Sequence, residues 1–83
     1  AAEVLAPDAS VLAEIRVHQG RALTGLGRHS EAEKVLVAAH GVIEMTLGSE
    51  NAMSRQAASA VAECYDSWGK PDEAAAWRAK LDQ

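Results

Sequence analysis

Residues 20–32 read GRALTGLGRHSEA, and residues 62–74 read AECYDSWGKPDEA. The two stretches lie 42 positions apart, and at eight of the thirteen positions they agree in the role of the residue, at three of these in its identity too. Gly20 and Ala62 are the small residues at which paired helices approach, and Leu23 and Tyr65, then Leu26 and Trp68, are large apolar groups. Gly27 and Gly69 supply the turn, Arg28 and Lys70 a basic residue, Ser30 and Asp72 an N-cap, Glu31 and Glu73 an acid for the helix start, and Ala32 and Ala74 a second small contact. A helix, a glycine turn and a second helix, repeated at a fixed offset, mark a chain built from copies of one supersecondary unit.

Outward from these turns, the apolar spacing is helical rather than alternating, with breaks at Pro7, Gly25 to Gly27, Gly48 and Gly69 to Pro71. Four helices are expected. The first starts near Ser10, carries Val11, Leu12, Ile15, Gln19, Ala22, Leu23 and Leu26 down one face, and stops at Gly27. The second opens on a capping box, Ser30-Glu31-Ala32-Glu33, buries Ala32, Val35, Leu36, Ala39, Val42, Ile43 and Leu47, and ends at Gly48 in a left-handed conformation. The third runs from about Asn51 to Trp68 over Met53, Ala57, Ala58, Val61, Ala62, Tyr65 and Trp68. The fourth begins at Pro71 or Asp72 and presents Ala74, Ala75, Trp77 and Leu81. Residues 1–9 read as an irregular lead-in and 10–83 as the domain, with one hairpin over about 10–48 and the second over about 51–82.

Composition narrows the function. The chain has 83 residues, 18 of them alanine, with two Trp, one Tyr and no Phe to anchor a core, which argues against a free-standing enzyme. Eight basic against twelve acidic residues give a net charge of −4, which disfavours nucleic acid and anionic lipid as partners. No run reaches the roughly 18 apolar residues of a membrane span. A single cysteine fits a reducing, cytoplasmic setting.

With Gly20, Ala22, Leu23, Gly27, Arg28, Ala32 and Ala39 in the first copy and Ala62, Tyr65, Gly69, Lys70 and Ala74 in the second, the chain resembles the tetratricopeptide repeat family over about residues 13–82. The 42-residue spacing is longer than that family's usual repeat, as in its elongated members, and Arg16, Gln19 and Arg78 depart from its pattern. The segments 27–33, 65–71 and 76–81 look like the last repeats of large bacterial serine/threonine protein kinases, although no catalytic signature is present. The resemblance implies an all-α, right-handed α-solenoid fragment of two stacked antiparallel helix-turn-helix hairpins. It further implies a non-catalytic scaffold, part of a larger bacterial, kinase-associated protein, that binds a protein or peptide.

In that family the first helix of each hairpin lines a concave face. Helical spacing points Glu14, Val17, His18, Arg21 and Thr24 into it from the first helix, and Gln56, Ser59, Glu63 and Asp66 from the third. One arginine against three acids does not make a clamp for a terminal carboxylate; it suits a ligand with basic or amide groups. The alternative role is structural, capping an array or dimerising the parent protein. About three repeats are expected before such an array is stable alone, so self-association is expected here, aided by Val4, Leu5 and Val11, and a homodimer is the expected state.

The remaining chemistry-bearing residues have plainer readings. His18, His29 and His40 recur every eleven residues, but Gly27 breaks the helix between the first two, and no Cys-x-x-Cys or His-x-x-x-His accompanies them, so no metal or cofactor is expected. Cys64 reads as a small packing residue. Glu31, Glu33, Asp72 and Glu73 cluster at helix starts, where the helix dipole accounts for them, and Arg78 and Lys80 match the dipole at a helix end. Trp68 is expected to fill the gap between the third and fourth helices, and Trp77 to cover the end of the stack.

Overall fold

A computed structural model describes residues 9–81. The expectations placed on Val4, Leu5 and Pro7 lie outside them. Four helices follow in order: α1 (Ala9–Gly25), α2 (His29–Leu47), α3 (Ala52–Trp68) and α4 (Pro71–Leu81). Among the described residues there is no strand. Each helix packs on the next, and α1 also packs on α3, so α3 lies against the first hairpin and α4 closes onto α3.

The two hairpin turns are built by the same hydrogen bonds at the same offset. Gly27 N–H donates to Thr24 C=O at 3.0 Å, and Gly69 N–H to Asp66 C=O at 3.2 Å. Arg28 N–H reaches back to Leu23 C=O at 2.9 Å, and Lys70 N–H to Tyr65 C=O at 2.8 Å. This paired arrangement ends a helix on a residue with positive φ, and the two glycines stand at +81° and +80°. Gly48 also has positive φ, 88°, but its ψ of 158° is outside the expected left-handed region, so the connection between the hairpins is made differently. There Asn51 caps α3 by accepting from Met53 N–H at 2.8 Å, and the buried Ser54 hydroxyl donates to Gly48 C=O at 2.6 Å.

Two helix starts differ from expectation, and the start of α4 agrees with it. α1 already includes Ala9 and Ser10, so Ser10 lies inside the helix and Ala9 is not irregular. α2 begins at His29, which places Ser30 inside it too, and its N-cap residue, Arg28, makes no side-chain cap. The capping box therefore does not form; Glu33 instead accepts a hydrogen bond from the Tyr65 hydroxyl at 2.7 Å, tying α2 to α3. α4 begins at Pro71 with Asp72 and Glu73 in its first turn, where their charge meets the positive end of the helix.

The core is made of small and medium side chains: Ala13, Val17, Ala32, Leu36, Ala39, Ile43, Ala57, Ala60, Val61, Cys64, Tyr65 and Ala74, with Leu23, Met53, Trp68 and Trp77 packed on its edge. The expected face of α1 is wrong. Leu12, Ile15 and Leu26 are exposed, and the helix turns Ala13, Val17 and Gly20 inward instead. The reason is close approach: a methyl group on Gly20 would overlap Leu36, itself fully buried, so α1 meets α2 along its smallest residues rather than its greasiest. In α2, Val42 and Leu47 are likewise on the surface, while His40 is buried. On α3 the expected buried residues are buried or half-buried, joined by Ser54, Ala60 and Cys64.

Both tryptophans turn toward α2. Trp68, half-buried at the core's edge, stacks on His29 with ring centres 5.8 Å apart. Trp77 meets the His40 ring edge-on at 4.9 Å, which braces α4 to α2. Lys70 and Lys80 lie over the two indole rings at 3.9 and 4.2 Å. Among the described residues no helix is long and apolar enough to cross a membrane.

Candidate interaction surface on helices α1 and α3

Because α1 and α3 pack side by side, residues a turn apart on each come to a shared surface. The contact that joins them is an ion pair, Arg21 Nε to Glu63 Oε1 at 4.0 Å, with Glu63 more than half exposed and Arg21 partly covered. The Arg21 Nε itself is buried without a hydrogen-bond partner, so this separation is the charge contact it has among the described residues. Glu14 and His18 are exposed on α1, and Gln56, Glu63 and Asp66 on α3, with Ser59 half-buried beside them.

Two of the expected nine residues do other work. Val17 is only 3 % exposed and belongs to the core under α1, a correction that follows from the rotation of that helix. Thr24 is half-buried and its hydroxyl donates to Gly20 C=O at 3.0 Å, within its own helix. The remaining seven are exposed or half-buried, and across α1 and α3 Arg21 and Glu63 are brought together. Arg78 of α4 was absent from the expected set: it pairs with Asp66 and holds that carboxyl below its usual range by its hydrogen bond. Arg78 occupies the position 42 residues beyond Leu36, where an arginine breaks the apolar pattern, and that mismatch was the signal available in the sequence. Electrostatically the surface is thus three acids against two arginines, closer to balance than the sequence suggests.

The other polar groups are gathered elsewhere. A cavity of about 300 Å³ lies where the end of α2, the start of α3 and the end of α4 meet, lined by His40, Glu44, Glu50, Ser54, Arg55 and Lys80 among others. Burial lowers the His40 pKa below its ordinary value, with Glu44 opposing and Lys80 reinforcing the effect. The cavity's charges are mixed, two acids facing two bases, and no group of three or more His, Cys, Asp or Glu side chains is gathered for a metal ion among the described residues. A second feature missed by spacing arguments is His29 Nε2 3.0 Å from Ser67 Oγ, residues 38 apart in the chain. Among the described residues no carboxylate is hydrogen-bonded to the ring's other nitrogen, and the stacked Trp68 covers one ring face, so this pair serves to pin the start of α2 to the end of α3. Cys64, fully buried, donates to His29 C=O at 3.6 Å, and burial pushes its thiol up, away from the reactive thiolate.

No family model, curated protein or solved structure matches this chain.

Proposed function

We propose that this chain is a non-catalytic protein-interaction module, a pair of tetratricopeptide-like hairpins within a larger bacterial protein, and that it binds an extended peptide along the outer side of α1 and α3. The observation that carries the reading is the recurrence, at an offset of 42 residues, of the two hydrogen bonds that close each turn, with Gly27 and Gly69 at matching positive φ. Two hairpins that turn alike set their first helices side by side, and α1 and α3 are in contact. That arrangement exposes a strip of polar side chains on rigid helices, the usual footing for peptide recognition.

The chemistry of the strip favours a ligand with lysine, arginine or amide side chains. Asp66 is held by Arg78 in a solvent-exposed pair, and such pairs contribute only about 0 to 1 kcal/mol, so a ligand's cation exchanges for Arg78 there at little cost, while Glu63 stays beside the buried Arg21 Nε and offers its outer oxygen. Gln56, Ser59 and His18 supply neutral donors and acceptors for a peptide backbone. The likeness of the ending to kinase-linked repeat arrays supports a regulatory parent with the activity housed elsewhere.

The test is selection of a randomised peptide library on the immobilised chain, followed by affinity measurement on the enriched sequences. Basic or amide-rich peptides should emerge, and Glu63→Lys with Asp66→Lys should weaken them at least about tenfold. Equal binding by the double variant would remove the α1–α3 surface as the site. A capping role is the second reading, and one observation favours it: the outward residues of α4 are Ala75, Ala76 and Ala79 with Arg78 and Lys80, a polar and small-residue face suited to ending a stack.

A further inference from the structure

The exposed apolar surface of this molecule is unevenly placed. Among the described residues, every large hydrophobic side chain that is exposed belongs to α1, α2 or the turn between them, and none to α3 or α4. On α1 Leu12, Ile15, Gln19 and Leu26 form an outward stripe, with Leu12, Ile15 and Leu26 exposed by 44, 55 and 72 %, and the half-buried Leu23 lies at its margin, where it also packs on the core. Beside Leu12 the stripe opens into a groove of about 240 Å³ between α1 and α2, whose walls include Ala38 and Val42.

We propose that two copies of this chain pair head to head through this face, about a two-fold axis at Gln19, each seating its Leu26 in the other's groove between Leu12, Ala38 and Val42. Three features favour a second copy as the occupant. The stripe is symmetric in spacing: Leu12 and Leu26 lie seven residues on either side of Gln19, and Ile15 and Leu23 lie four. An antiparallel pairing of α1 with itself therefore sets Leu12 against Leu26, Ile15 against Leu23, and the two Gln19 amides against each other, the one polar pair that can satisfy itself. The area is of the right order. Helices of 17 and 19 residues lie side by side; at about 1.5 Å per residue and about 10 Å between axes they present a face of roughly 500 Å² in projection, the scale of the ~800 Å² of accessible surface per partner in a standard interface.

The third feature is closure. Because the α4 end carries small and charged residues, the apolar end has no counterpart on the far side of the same molecule, so a head-to-tail filament is disfavoured and the assembly stops at two.

The experiment is light scattering on the 83-residue chain from about 1 to 200 µM, with circular dichroism to follow the fold. A mass rising from 8.7 kDa to twice that value, and no further, is expected. Leu26→Glu, at a site exposed in the monomer, should weaken self-association at least about tenfold with helicity unchanged, and Ala38→Trp, which fills the groove, should do the same. Gln19→Cys should form an intermolecular disulfide far faster than Ala75→Cys on the opposite end. A mass of 8.7 kDa at the highest concentration, a mass that grows without limit, a dimer indifferent to Leu26→Glu, or equal cross-linking of the two cysteines would each overturn the proposal.

Discussion

Replacing glycine by alanine inside a helix ordinarily stabilises it by about 1 kcal/mol, because the backbone loses less freedom on folding. The two mid-helix glycines should respond to that change with opposite signs. At Gly41, exposed on α2, an added Cβ meets nothing within 4 Å, and Gly41→Ala should gain the full amount. At Gly20 the new methyl overlaps the branch carbon and one methyl of Leu36, which is 0 % exposed and has nowhere to move. Overpacking a tight core costs about 1 to 3 kcal/mol, and overlap at a branch carbon belongs at the upper end. Subtracting the helix gain leaves Gly20→Ala less stable by about 2 kcal/mol, so the two variants should differ by about 3 kcal/mol. Urea unfolding followed by circular dichroism reads both, and in a domain this small each kcal/mol also moves the melting temperature by about 4 to 8 °C. In a Leu36→Ala background the penalty should vanish and Gly20→Ala should turn neutral or stabilising. A Gly20→Ala variant as stable as Gly41→Ala would mean that α1 and α2 do not approach along Gly20, and the packing described for the first hairpin would be wrong.

Tyr65→Phe removes the bond to Glu33 that joins α3 to α2 and should cost about 1 to 3 kcal/mol in the same assay, since the acceptor is charged and half-buried. The native Tyr65 hydroxyl is pushed up to about 12 by burial and by the Glu33 contact, so the folded state keeps its proton where the unfolded chain loses it. Stability should therefore fall between pH 10 and about 12, and Tyr65→Phe should flatten that limb. His40 behaves in the opposite sense. Burial lowers its pKa from the ordinary 6.5, so its contribution is complete above that value and is lost as pH falls below it, when the unfolded chain binds the proton first. A His40→Gln variant should lose this part of the acid dependence, and an unchanged pH–stability curve below 6.5 would refute the assignment. Asn51→Ala should cost about 1 kcal/mol by removing the cap on Met53 N–H, whereas Ser30→Ala, at the position where the sequence suggests a cap, should change stability by less than about 0.5 kcal/mol.

The turns were legible because glycine is the residue that reaches positive φ without strain, and a glycine followed by a basic residue and a helix start announces the conformation. Helix order followed from those turns. What spacing could not reveal was which face of α1 goes inward, because the stripe containing Leu12, Ile15 and Leu26 is more hydrophobic than the one containing Ala13, Val17 and Gly20. Close approach to Leu36 decides the matter, and that depends on a partner helix not specified by local pattern. The same rotation moved Val17 out of the candidate surface and into the core. Ser30 and Glu33 illustrate a second limit: a capping box and a tertiary hydrogen bond compete for one carboxylate, and the long-range partner Tyr65 prevails. The exposure of Glu14, His18, Gln56, Glu63 and Asp66 was readable from helical geometry, whereas Arg78 reached Asp66 only through the docking of α4.

The claim on which the interaction role rests is that α1 and α3 offer one continuous docking surface. The direct measurement is a nitrogen-15 amide titration of the chain with the highest-affinity peptide from the library selection, observed residue by residue. Perturbations concentrated at Glu14, His18, Arg21, Gln56, Ser59, Glu63 and Asp66, with the cavity residues His40, Glu44 and Arg55 unmoved, are the predicted outcome. Shifts confined to that cavity, or to the outer stripe of α1, would contradict it.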